Sequence, residues 1–253
     1  MNKPSASRAA LLRLSHALGD PRRQLAILGE GNTSARVTEE TFLVKASGTN
    51  LETLREEDLV ECRSATILEL LNKTTISDSD VETALMESRV DPASKKPSVE
   101  SLFHAWLLNL PGVGFVGHTH AVAVNSILCS PRAREFAEKR ILPDEIVCCD
   151  IASVFVPYTD PGLFLALGVR DGVNGFVRKY RRVPRVVLLE NHGIITLGRT
   201  VEAVLAAMFM AEKTAAIWLA AATLGGPKFL PPQEVGRIAQ RPDEEVRQKV
   251  LNI

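Results

Sequence analysis

The chain has 253 residues, with 30 Lys plus Arg against 30 Asp plus Glu, and 45% apolar residues of which few are aromatic. That is an ordinary soluble globular composition, sized for one main domain, and a zero formal charge leaves no electrostatic footprint for a nucleic-acid or membrane-surface protein. Four cysteines, two of them adjacent at Cys148 and Cys149, show neither the density nor the spacing of a disulfide framework or a zinc ribbon. They are expected to be reduced and buried. The start of the chain lacks an apolar run long enough for a signal peptide, and no segment is expected to reach the roughly 20 apolar residues of a membrane span. The expected compartment is the cytoplasm.

In chain order, residues 7–18 place Leu11, Leu14 and Leu18 on one helical face before Gly19, Asp20 and Pro21 supply a stop. LAILGEGNTSARV and TFLVKASGTN read as strands delivering polar loops. A strand is expected at 59–62 and helical runs at 65–71 and 79–87. After Pro97, the run SVESLFHAWLLNL is a helix that Ser98 can cap and that Pro111 and Gly112 end. VGFVGHTHAV follows as a strand, then a helix-like run, then EIVCC and SVFVPY as two short strands. Residues 161–180 look helical, PRVVLLENHGIITLG reads as two strands around a polar turn, and 201–222 is a long alanine-rich helix. The pattern is a central sheet flanked by helices over residues 1–226, with 227–253 as a short helical tail.

Three of the five histidines fall in short polar interruptions of apolar segments: His118 and His120 in GHTH, and His192 in ENHG. On a strand, residues i and i+2 share a face, so His118 and His120 can offer two imidazoles to one point. A third from His192 would complete the three-ligand, one-open-position set of a catalytic zinc. The same residues also fit a hydrogen-bonded sheet pair and a turn histidine. Glu100, early in its helix, fits both a capping carboxylate and a base. GEGNTS lacks the third glycine of a dinucleotide fingerprint and the GK[ST] of a phosphate-binding loop. Asn32, Thr33 and Ser34 there, and Lys45, Ser47 and Gly48 in KASGTN, are donors suited to a small anion or to ordinary turns.

Taken in order, GNTS, KASGT, PSVESLFH, GHTH and NHG resemble the class II aldolase/adducin family over roughly residues 8–222. The resemblance implies a three-layer α/β/α fold around a mainly antiparallel sheet, assembled as a homo-oligomer, a tetramer in the family's usual form. It implies that His118, His120 and His192 bind a divalent metal, normally Zn2+, with Glu100 as the catalytic carboxylate, and it maps substrate binding onto Asn32, Ser47, Gly48 and Ser98. Two departures stand out. Val99 follows Ser98 where the family often has a second hydroxyl, and Lys45-Ala46 stand where it often has Thr-Pro, which adds Lys45 to the expected anion pocket. The implied activity is a metal-dependent aldolase acting through a zinc-stabilised enediolate on a small anionic, sugar-like substrate. Epimerase, decarboxylase and dehydratase chemistry on the same scaffold remain open, as do a metal-binding regulatory module and an adducin-like interaction domain without catalysis.

Overall fold

A computed structural model describes residues 3–73 and 76–253; Met1, Asn2, Thr74 and Thr75, which fall in the expected 1–226 unit, lie outside the described residues. The chain opens with helix α1 (Lys3–Leu18), then hairpin strands β1 (Asn32–Arg36) and β2 (Thr41–Lys45), strand β3 (Leu59–Arg63), and helices α2 (Ser64–Leu70), α3 (Asp78–Ser88) and α4 (Ser101–Leu108). Strand β4 (Phe115–Thr119) leads into α5 (Val122–Leu128), α6 (Ala133–Glu138) and α7 (Pro143–Cys149). Strand β5 (Val154–Val156), α8 (Leu163–Tyr180), β6 (Val186–Leu189), β7 (Gly193–Gly198) and α9 (Val201–Ala222) follow, and α10 (Pro232–Ile238) and α11 (Pro242–Val250) form the tail.

Among the described residues, seven strands make one sheet in the order β3-β2-β1-β4-β7-β6-β5, antiparallel throughout except for β5 against β6. Side chains alternate across it with a period of two. Phe42, Val44, Val116, Val187, Leu189, Ile195 and Leu197 face one layer, built on α2, α3, α4 and α8 with Ile67, Leu85, Phe103 and Val173. Leu43, Ala35, Val186, Leu188 and Ile194 face the other, built on α1, α5, α6, α7 and α9 with Leu14, Ile127, Phe136 and Met208. The three-layer α/β/α architecture expected from the sequence is the one observed.

Four local expectations are corrected. EIVCC is helix α7, not a strand: Pro143 occupies the first helical position and Asp144 and Glu145 complement the N-terminus, while a short apolar run has no period of its own to choose between the two. In LAILGEGNTSARV only Asn32–Arg36 is a strand, so Asn32, Thr33 and Ser34 are fully buried in the sheet and not in a loop, while Ile27 and Leu28 are exposed. The helix after Pro97 starts at Ser101: Ser98 instead closes a turn, its carbonyl accepting from Ser101 N at 3.0 Å and its hydroxyl from Glu100 N at 3.3 Å. Finally, α9 is long and apolar enough to cross a membrane. Here one face of it, including Val204, Ala207, Met208, Ala211 and Trp218, is buried against the sheet and neighbouring helices.

Candidate metal centre

The site forms where the antiparallel register sets β1, β4 and β7 side by side. Asn32 pairs with His118, and His118 with Ile195. Residue His118 projects to the α4 side of the sheet with Val116, and its ring meets the edge of Phe103 at 5.7 Å. His120 stands just past the end of β4. His192 closes the three-residue turn between β6 and β7, where Asn191 adopts φ 53, a left-handed conformation that asparagine tolerates better than most residues. Glu100 precedes α4 and reaches the same point from the helical layer.

The three imidazole rings are mutually equidistant, with centroids 5.0 Å apart in every pair. His118 Nε2 lies 3.2 Å from His120 Nε2 and 3.3 Å from Glu100 Oε1, and His192 Nε2 lies 3.5 Å from the same carboxylate oxygen. The four groups bring one donor atom each within 4.8 Å of one another. Tetrahedral metal bonds of 2.0–2.1 Å imply ligand separations of about 3.3 Å, which this set already approaches. The chemistry of the donors makes the same point. His118 Nδ1–H donates to Ile194 O at 3.0 Å, which turns the Nε2 lone pair toward the carboxylate oxygen and the other two rings. Lone pairs facing one another require a cation at their focus, either a proton or a metal ion, so Glu100, His118, His120 and His192 fit a divalent metal.

Electrostatics agree with this. Burial works against the charge on Glu100, but the imidazoles of His118 and His192 outweigh it and hold the carboxyl well below the usual carboxylate range. His118, despite the opposing effect of burial, is raised by Glu100 and by its bond to Ile194. Burial and the neighbouring imidazoles push His120 down to about 4, so its ring stays neutral and able to ligate. Behind His120, Glu30 Oε1 lies 3.7 Å from Nδ1 while Oε2 accepts from Ile27 N at 3.1 Å. Sequence reasoning missed this carboxylate as a partner of the histidine; the only signal was an acidic residue inside a glycine turn. Close approach governs two glycines. A Cβ on Gly193 would stand 2.5 Å from Thr119 O and 3.0 Å from both His118 and His120 ring carbons, and one on Gly31, at φ +70, would meet His118 O at 2.7 Å.

Next to this centre, Asn32 Oδ1 accepts from Thr33 N, and its fully buried Nδ2 has no partner among the described residues. Ser34, two residues on and on the same face, bonds its hydroxyl to His104 Nδ1 at 2.7 Å. An antiparallel bridge between Ala46 and Pro97 sets Lys45 opposite Ser98, while Ser47 N donates to Lys96 O at 2.9 Å and Ser47 and Gly48 stay exposed. Lys45 is 2% exposed, and its ammonium donates to Thr49 O at 2.7 Å and Gly29 O at 3.3 Å, which ties the two polar turns together. Asp144, Glu145 and Tyr158 lie outside this cluster and are engaged with Arg247, with Arg140 and with Asp160.

Residues 9–219 match the family model for the class II aldolase and adducin N-terminal domain, and the chain belongs to that family. It is 30% identical over 185 residues to the uncharacterized oxidoreductase YuxG of Bacillus subtilis, a match covering 69% of this chain but only 24% of that protein, so the chain spans about a quarter of the length of that relative. It is 26% identical over 178 residues to a methylthioribulose-1-phosphate dehydratase of Geobacillus kaustophilus, covering 67% of this chain and 71% of the other. An L-fuculose 1-phosphate aldolase structure superposes with a TM-score of 0.70 at 19% identity, over 93% of this chain and 95% of that one, which establishes a shared fold.

Proposed function

We propose that this protein is a metal-dependent lyase of the aldolase type, with zinc as its cation, that cleaves or forms a carbon–carbon bond in a phosphorylated sugar or a related small hydroxy-carbonyl compound. The observation that carries the reading is the convergence of His118, His120, His192 and Glu100 on one focus that calls for a cation. A divalent metal held there supplies a Lewis acid that stabilises negative charge developing on substrate oxygens. Glu100 Oε1, held at the focus of the three imidazoles, is the group placed to accept a proton from the substrate carbon or hydroxyl and return it later in the cycle. The buried, unpartnered Nδ2 of Asn32 is a donor waiting for an acceptor, and with Ser47, Gly48 and Ser98 it binds the substrate's anionic end. Lys45 spends two of its three ammonium protons on loop carbonyls, and the third serves the same anion. Binding energy at that end positions the reacting carbons.

The large apolar side chains Ile27, Leu28 and Val122 stay exposed beside the residues that build the site, which supports a homo-oligomer, a tetramer, in which another subunit covers them. Residues 1–226 form the catalytic unit in this reading and 227–253 an appended tail. All four cysteines are free, in keeping with a reducing, cytoplasmic setting. Dehydration of a phosphorylated ketose is the second reading, favoured by the similarity to the Geobacillus dehydratase. The test is a zinc-loaded sample assayed on a panel of ketose 1-phosphates, with products identified as two carbonyl fragments or as a dehydrated ketone. Glu100→Gln keeps the shape and removes the proton acceptor, so kcat should fall about 10²- to 10⁴-fold. Near-normal turnover by that variant would remove Glu100 from the proton transfer, and no turnover on any substrate by the loaded wild type would favour a scaffold without catalysis.

A further inference from the structure

Helix α5 starts two residues after His120, yet its N-cap residue, Ala121, has no side-chain acceptor to offer. The carboxylate of Glu212, reaching across from α9, fills that role. Its Oε1 accepts from Ala123 N at 3.1 Å and its Oε2 from Val124 N at 3.2 Å. One turn further along, Asn125 Nδ2 donates to the backbone carbonyl of His192 at 2.9 Å, and at the end of the helix Leu128 O accepts from Asn191 N at 3.3 Å. The Asn125 Oδ1 is buried without a partner among the described residues, so the one side-chain bond the amide makes there is to the His192 turn.

His120 follows β4 and His192 closes the β6–β7 turn, and α5 is the piece attached to both: covalently to His120 through Ala121, and through Asn125 and Leu128 to the turn that carries His192. We infer that Asn125 and Glu212 are positioning residues of the metal centre, fixing through α5 the separation of two of its ligands. Glu212 pins the start of the helix, and Asn125 passes that position on to His192. Neither touches the focus of the ligand set. The inference rests on the reading that His120 and His192 bind a metal, and it goes beyond that reading by assigning metal affinity to residues outside the ligand set.

The test is the zinc dissociation constant of the full chain, measured by chelator competition on metal-free protein, together with the melting temperature of the same metal-free samples. Asn125→Ala and Glu212→Gln should each weaken zinc binding by about 10- to 100-fold, the range seen when partners behind metal ligands are removed. Ser126→Ala, on the exposed side of the same helix, should stay within about twofold of wild type. A purely structural role would lower the melting temperature of the metal-free variants while leaving the zinc constant within about twofold, and that result would overturn the inference. Should Asn125→Ala fail to fold, Glu212→Gln decides, since it keeps the side-chain shape and one acceptor. A wild type that binds no zinc sinks the metal reading and this inference together, whereas a wild type that binds zinc alongside two unchanged variants sinks the inference alone.

Discussion

Replacing Gly193 by alanine tests the packing of the site without touching a ligand. The added Cβ would stand 2.5 Å from Thr119 O, about 0.9 Å inside the 3.4 Å of ordinary contact, and 3.0 Å from ring carbons of both His118 and His120. A backbone carbonyl at the end of β4 cannot turn away as a flexible side chain would, so the β6–β7 turn or the two rings must move. Overpacking of this kind costs about 1–3 kcal/mol. For a chain of this size that corresponds to a fall of roughly 2–12 °C in Tm. The larger effect should be on metal affinity, because ligand distances tolerate only about 0.2 Å and the required displacement is several times that. Differential scanning calorimetry of the metal-free protein and zinc titration of the same sample measure the two effects. If Gly193→Ala melts with the wild type and binds zinc with the same dissociation constant, the close approach of the turn to His118 and His120 is wrong.

Two further substitutions probe the surroundings. Burial pushes the His104 imidazole down to about 3 from its ordinary 6.5, so between those values the unfolded chain binds a proton that the folded protein does not. Its contribution to stability is therefore complete above pH 6.5 and is lost as pH falls toward 3, at about 1.4 kcal/mol per pH unit. Urea unfolding between about pH 4 and 6 should show a shallower pH dependence for His104→Asn than for wild type, and equal slopes would contradict the assignment. Lys45→Met strips the donors from Gly29 O and Thr49 O and should cost about 1–3 kcal/mol in stability. Under the proposed role it should also raise KM for an anionic substrate more than it lowers kcat, and unchanged kinetics would return Lys45 to loop bracing alone.

What could be read from the sequence follows from how local each signal is. The i, i+2 spacing of His118 and His120 is a property of strands, and the polar turn around His192 is bounded by two apolar runs, so both placements are visible in the chain. That they meet depends on β4 lying next to β7, which only the sheet register reveals. Asn32, Thr33 and Ser34 look like loop residues because they are small and polar. They are buried strand residues: Ser15 and His104 take up the hydroxyls of Thr33 and Ser34, Thr33 N takes up Asn32 Oδ1, and the sheet pairs their backbone. Glu30, Asn125 and Glu212 carry no motif. Each acts across elements far apart in sequence, and nothing in the chain between Ala123 and Glu212, 89 positions apart, links them.

The central claim is that His118, His120 and His192 form a divalent-metal site. Elemental analysis of the purified full chain and of His120→Ala, each after zinc loading and removal of free ion, measures this directly. Wild type should carry about one zinc per chain, in line with a single three-histidine site, and His120→Ala should carry none while keeping its circular dichroism spectrum. Equal zinc content in the two proteins, or none in either, would contradict the account.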